Sequence, residues 1–331
     1  MKLLDRHLTR RLITIPALIL LWAVVWVAAP LLLSLALVVD SARWLGRRTP
    51  WMAVRLVLFL MAYTAAEVIG LTALAATWVV SGGGRLLDLQ EPTFAIQQWW
   101  AGVVLTACRR IFGLEIAAAG LTAVSPAPFV LIARHASIVD NLLPAWFISR
   151  PHGTRIRYVM KRELLLDPAL DVAGRRLPNV FIRRDGGEAE SDVAAIRRLA
   201  EQLPDDGAIL IYPEGTRYSV EKRDRLASVL ARRSPRLADR IGGLTHVLPP
   251  RPAGTSALLE GCQADVVVMV HRGLDGFARV ADIWRGAMVR RRVEIEFWRI
   301  PRSDIPAGRS EQAEWLFDVW SRVDRWVGRP A

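Results

Sequence analysis

The 331 residues suffice for one large domain or two smaller ones, and 52% of them are hydrophobic, more than a soluble protein usually carries. The formal net charge of +12 is almost wholly arginine. It suits an anionic membrane surface or phosphate-bearing substrates and equally an arginine-rich genome, while no basic stripe with interleaved aromatics argues for nucleic acid. Cys108 and Cys262 stand far apart without ligand spacing, so neither a disulfide framework nor a zinc site is expected.

In chain order, Ile13 to Val39 carries no charge. As one helix it would rise ~40 Å, more than the ~30 Å hydrocarbon core of a bilayer, so it must tilt, bend or break, with Pro30 the expected kink. A second apolar stretch, Trp51 to Val80, is interrupted by Arg55 and Glu67. The first run is too long for a signal peptide and passes its small-residue site at Ala28–Ala29. Residues 1–84 are therefore expected to form an N-terminal membrane anchor, a hairpin of two hydrophobic helical segments with Trp22, Trp26, Trp44, Trp51 and Trp78 as interfacial anchors. Basic residues before the first segment (Lys2, Arg6, Arg10, Arg11) nearly match those between the two (Arg43, Arg47, Arg48). Two spans and a re-entrant hairpin fit this balance alike.

After the sequence SGGGR (81–85), residues 85–331 read as an α/β domain. Predicted strands cover 129–133, 155–160, 179–184, 208–213, 245–249, 265–270 and 292–300. Helical periodicity is clearest over 188–203 and 310–327. The alternation predicts a mixed, mainly parallel sheet covered by helices on both faces.

Two stretches carry chemistry. In RHASIVDN, His135 follows a predicted strand and Asp140 falls in the first turn of a helix beginning near Ser137. From the turn, the ring can fold back so that the carboxylate fixes its tautomer, as in a His–Asp base pair; alone, the same spacing fits a histidine that caps the helix. In ILIYPEGTRYS, an apolar strand ends at Pro213 and a turn follows with Glu214, Gly215, Thr216 and Arg217. Such a turn stands at the carboxyl edge of the sheet, with glycine for close approach and a guanidinium fork for phosphate.

With these motifs the chain, over roughly residues 95–300, resembles the membrane-bound glycerolipid acyltransferases, in particular those acting on 1-acylglycerol-3-phosphate (lysophosphatidate). His135 and Asp140 match the family's H-x-x-x-x-D with Ser137 between them, and Glu214–Arg217 match its E-G-T-R. VFIRRD (180–185) resembles the second block through Phe181, Ile182 and Arg183 or Arg184, and HVLPPR (246–251) the fourth. Arg134 departs from the asparagine frequent before the histidine, and the L-P-P-R ending is closer to a branch that includes enzymes for other lysophospholipids. The resemblance implies acyl transfer from a thioester, acyl-CoA or acyl carrier protein, to the sn-2 hydroxyl of lysophosphatidate, giving phosphatidic acid. It makes His135 the base and Asp140 its orienting partner. Arg183, Arg184 and Arg217 become candidates for the acceptor phosphate, and Glu214, Gly215 and Thr216 join them in the substrate-binding turn. Backbone N–H groups at the helix start, with Gly215, would hold the oxyanion. Neither a bound cofactor nor a metal is implied, and the expected location is the inner membrane with the catalytic domain on its cytoplasmic face. Two alternatives remain at this point: a non-catalytic protein binding anionic lipid, and a His–Asp hydrolase, which would lack any G-x-S-x-G elbow. His7, His152, His246 and His271 are read as packing or surface residues.

Overall fold

The computed structural model describes residues 7–183, 190–233, 238–275 and 280–329. The chain begins with helices α1 (His7–Val27), α2 (Ala29–Arg47) and α3 (Ala53–Val80), each long and apolar enough to cross a membrane. The expected two hydrophobic segments are thus three helices. The charge-free run breaks at Ala28: Pro30 has no N–H to give the preceding turn and its ring crowds the carbonyl four residues back, so the helix restarts with the proline in its first turn. Asp40, buried on α2, accepts hydrogen bonds from the N–H groups of Met52, Ala53 and Val54 at 3.0, 3.0 and 2.9 Å and so caps α3. Both α1 and α2 pack on α3. The chain leaves α3 through Gly82, Gly83 and Gly84, all at positive φ, which only glycine adopts without strain. The following Trp-rich segment is helix α4 (Gln90–Phe112), which lies along α3.

Seven strands form one sheet: β1 (Glu115–Ala119), β2 (Phe129–Ala133), β3 (Arg155–Lys161), β4 (Val180–Ile182), β5 (Gly207–Ile211), β6 (Asp265–Arg272) and β7 (Arg292–Ile300), in the order β1-β7-β6-β2-β5-β3-β4. The five strands from β6 to β4 are parallel; β7 runs antiparallel to β6, and β1 parallel to β7. This is the mixed, mainly parallel sheet expected. The β1 strand, Glu-Ile-Ala-Ala-Ala, is not foreseen because its residues favour helix; pairing with β7 overrides that preference.

Alternation along β2 sorts the core into two layers. Phe129, Leu131 and Ala133 face α3 and α4, packing with Met52, Ala66, Leu105 and Phe112. Val130 and Ile132 face the other way, towards α6 (Glu190–Glu201), α8 (Pro252–Gly261) and α9 (Arg309–Val327), where Trp320 is fully buried. Two further helices are α5 (Pro168–Arg176), between β3 and β4 in sequence and packed on α1, α3 and α4, and α7 (Val220–Arg233), after β5. Polar contacts also join anchor to domain. Buried Arg10 of α1 meets buried Asp171 of α5 at 2.5 Å, and the Tyr63 hydroxyl donates to Asp167 at 3.0 Å. The boundary expected at residue 84 marks a turn in the chain, while the core runs through it.

Candidate active site

Because β2, β5 and β6 are parallel neighbours, their carboxyl ends open on one edge, and three loops meet there. The β2 strand delivers Arg134 and His135, β5 delivers Tyr212 to Arg217, and β6 carries His271 next to its last residue. The turn after β2 is wound around one carboxylate. Asp140 is fully buried, and its Oδ2 accepts the N–H groups of Ala136 and Ser137 at 2.6 and 2.7 Å and faces His135 Nδ1 at 3.1 Å. The Ser137 hydroxyl accepts the Val139 N–H at 2.9 Å. The expected helix start is a short 3₁₀ turn, Val139–Leu142, closed by these side-chain bonds.

Burial alone would raise the Asp140 carboxyl, but the nearby His271 and the hydrogen bond from His135 outweigh it and hold the group well below the usual carboxylate range. An ionised carboxylate only accepts, so His135 Nδ1 carries the proton and its Nε2 is left as the basic nitrogen. The His135 side chain is 15% exposed, enough for Nε2 to meet a substrate. Tyr212 stacks on the ring, centroids 4.4 Å apart, and limits its rotation.

The E-G-T-R turn is stitched to the same residue. Glu214, fully buried, accepts the backbone N–H of His135 on Oε1 and that of Leu248 on Oε2, each at 3.0 Å, while the His135 carbonyl accepts the Tyr218 N–H at 2.8 Å. Burial pushes the Glu214 carboxyl up to about 8, despite the lowering by Arg134 and by the two N–H donors. Glu214 therefore holds three loops together from inside, closed off from solvent. Gly215 has φ +65, and a Cβ there would press on Arg251 at 3.4 Å. The Thr216 hydroxyl and the Arg217 carbonyl both accept from Lys222, at 3.2 and 3.0 Å. The Arg217 guanidinium has no ion-pair partner among the described residues.

Not every expected site residue converges. Arg183 follows the edge strand β4, three strands from β2, or about 14 Å at the usual inter-strand spacing, and it is exposed. Arg184 lies outside the described residues. The N–H groups expected to hold an oxyanion are engaged: those of Ala136 and Ser137 by Asp140, that of Val139 by Ser137, and that of Gly215 by the Tyr212 carbonyl at 2.9 Å. The predicted strand 245–249 is a loop instead. The N–H groups of Thr245, His246 and Val247 all donate to the Asp324 carboxylate, which takes the place of a neighbouring strand.

Sequence reading passed over three neighbours of this site. His271, read as a packing residue, is fully buried with Nε2 3.3 Å from Asp140 Oδ1 and 3.2 Å from the Arg134 carbonyl, so Asp140 lies between two imidazoles. Arg134 is buried behind them and donates to the carbonyls of His271 and His246 (2.9 and 3.1 Å) and to Asp275 (2.5 Å). Arg251 closes over Gly215, its N–H bonded to the Pro213 carbonyl at 2.8 Å. HVLPPR carried the signal for Arg251, whereas nothing local marked His271. Among the described residues no group of three or more His, Cys, Asp or Glu side chains could hold a metal ion.

A buried carboxylate beneath a partly exposed imidazole, at the carboxyl edge of a mixed α/β sheet, is an arrangement chemically able to take up a proton. Residues 115–237, the stretch that holds His135, Asp140 and the E-G-T-R turn, match the family model described as Acyltransferase. The chain is 26% identical over 200 residues to the 1-acyl-sn-glycerol-3-phosphate acyltransferase gamma of Mus musculus and, equally, to that of Homo sapiens. These matches cover 59% of this chain, which spans about half (51%) of those relatives' length. The crystal structure of the 1-acyl-sn-glycerophosphate (LPA) acyltransferase PlsC from Thermotoga maritima aligns with a TM-score of 0.44 at 13% identity, covering 80% of this chain and 99% of that one.

Proposed function

We propose that this protein is a membrane O-acyltransferase that moves a fatty acyl group from a thioester to the sn-2 hydroxyl of 1-acylglycerol-3-phosphate, yielding phosphatidic acid. The observation that carries the reading is the His135 Nδ1–Asp140 contact of 3.1 Å, which leaves Nε2 at the open edge of the sheet. Nε2 takes the hydroxyl proton as the alcohol oxygen attacks the thioester carbonyl. The new C–O bond forms, the C–S bond breaks, and the imidazolium returns its proton to the leaving thiolate. Asp140 stabilises the imidazolium meanwhile, and a base so placed is worth ~10²–10⁴ in rate.

Arg217, beside the His135 backbone, takes the acceptor phosphate, with Arg251 across Gly215 as its partner. Arg183 contacts the phosphate only through a substrate extended along the edge. The donor is acyl-CoA or acyl carrier protein, and the catalytic domain lies on the cytoplasmic face of the inner membrane. The three apolar helices mark a membrane protein, which suits an acceptor that stays in the bilayer.

Labelled acyl thioester offered with lysophosphatidate and a panel of other lysophospholipids tests the reading. Label in phosphatidic acid is expected. Label mainly in another phospholipid would move the acceptor assignment, free fatty acid alone would make the protein a hydrolase, and no turnover of any acceptor would reject the reading.

A further inference from the structure

A cavity of about 730 Å³ opens between α1, α3 and α5, and none of His135, Asp140, Glu214 and Arg217 lines it. Its lining is of two kinds, a cationic limb of His7, Arg11, Arg175 and Arg176 and an apolar limb of Ile15 and Ile19 of α1 with Leu71, Ala75 and Trp78 of α3. Arg11, Ile15 and Ile19 are spaced by four, so they form one stripe that passes from cation to hydrocarbon along a helix able to cross a membrane.

Of the arginines lining the cationic limb, Arg11 and Arg175 both pair with Asp171, at 3.0 and 3.1 Å, a carboxylate that Arg10 also holds. Arg176 donates to the Leu74 carbonyl and the Thr77 hydroxyl, neither of them charged. The side chains of Arg11 and Arg175 remain 29% and 40% exposed. Burial, and then the charge of Arg11, lower the Arg176 guanidinium from its ordinary value, the mark of cations crowded together. A phosphate oxygen relieves that crowding and accepts from planar forks. A soluble phosphate would leave the apolar limb empty, and a zwitterionic headgroup would bring its own cation among the arginines.

We propose that this cavity binds an anionic phospholipid of the surrounding bilayer, its phosphate among Arg11, Arg175 and Arg176 and an acyl chain along Ile15, Ile19 and Ala75. The bound lipid clamps α1 to α5. The inference rests on α1 and α3 lying in a bilayer and not on acyl transfer, so lipid retention and turnover can fail independently.

The test uses the full chain, reconstituted in nanodiscs holding phosphatidylglycerol and phosphatidylcholine in equal amounts, extracted into mild detergent and weighed by native mass spectrometry. Parent protein and His135→Ala are both expected to retain phosphatidylglycerol in preference. Changing Arg11, Arg175 and Arg176 together to Gln lowers retention by on the order of 10²-fold, at about fivefold per arginine. Ala75→Trp fills the apolar limb without touching an ion pair and lowers it as well; should the triple variant melt early, Ala75→Trp decides. Equal retention of the two lipids, unchanged retention in Ala75→Trp, unchanged retention in a folded triple variant, or loss in His135→Ala would each overturn the proposal.

Discussion

Asp140 gathers two backbone donors and two imidazoles around one buried carboxylate, and each contact has its own consequence. Asp140→Asn keeps an oxygen for the Ala136 and Ser137 N–H groups, so the turn survives, but a neutral amide cannot stabilise an imidazolium. We expect kcat to fall by ~10²–10⁴ with KM little changed, read from initial rates of labelled product. His271 reaches the chemistry only through Asp140. His271→Ala should lower kcat about tenfold, the worth of one hydrogen bond, with His271→Gln restoring part of it; a purely structural role would lower the melting temperature and leave kcat per folded molecule alone. Glu214 makes a pH prediction. Its carboxyl is raised from 4.5 to about 8 in the fold, so the folded state holds the extra proton across that window. The stability it contributes is full below the unfolded value and is lost as pH rises through the folded one. The stability margin of the parent over Glu214→Gln should therefore shrink between pH 4.5 and 8 in thermal melts; a margin that grows would refute the buried, protonated state.

The elements divide into those whose cause is local and those whose cause is distant. The β2 and β7 strands match the sequence reading because an apolar run, as in β2, and an alternation of apolar and polar residues, as in β7, are local signals. The 245–249 segment looks like a strand for the same reason and is none, since its donors go to Asp324 on the far-off α9. His271 is hidden likewise: only the pairing of β6 with β2 brings it to Asp140. Its importance is a property of the sheet order, which no window of sequence displays. The His135–Asp140 and Glu214–Arg217 motifs were legible through their joint resemblance to a known family, since the spacing of His135 and Asp140 alone fits a helix cap equally well. At this scale Asp40 offers a test. It caps α3 from α2 with three N–H bonds, and Asp40→Ala should cost about 1–2 kcal/mol in detergent melts, with Asp40→Asn costing less; equal stability of all three proteins would remove the cap from the account.

For the whole molecule, the membrane helices and the catalytic sheet share one hydrophobic layer. Met52 and Ala66 are buried with Leu131 and Leu105, and Phe59 and Tyr63 lie over the same cluster. A chain cut to residues 85–331 would bare that face of the sheet. It should aggregate or melt without a sharp transition, and a soluble piece melting like the full chain would show that the anchor is dispensable for folding. The shared layer also fixes how the His135 edge stands relative to the bilayer, because α3 lies against the strands whose ends carry the site. On the proposed function, a rigid seat of this kind would let a lipid alcohol reach the imidazole without leaving the membrane.

The most direct measurement is acyl transfer by His135→Ala, assayed with labelled thioester and lysophosphatidate after confirming that the variant inserts and melts like the parent. The account predicts a rate lower by at least ~10². A variant that still turns over within a few-fold of the parent would mean that some other group takes the proton.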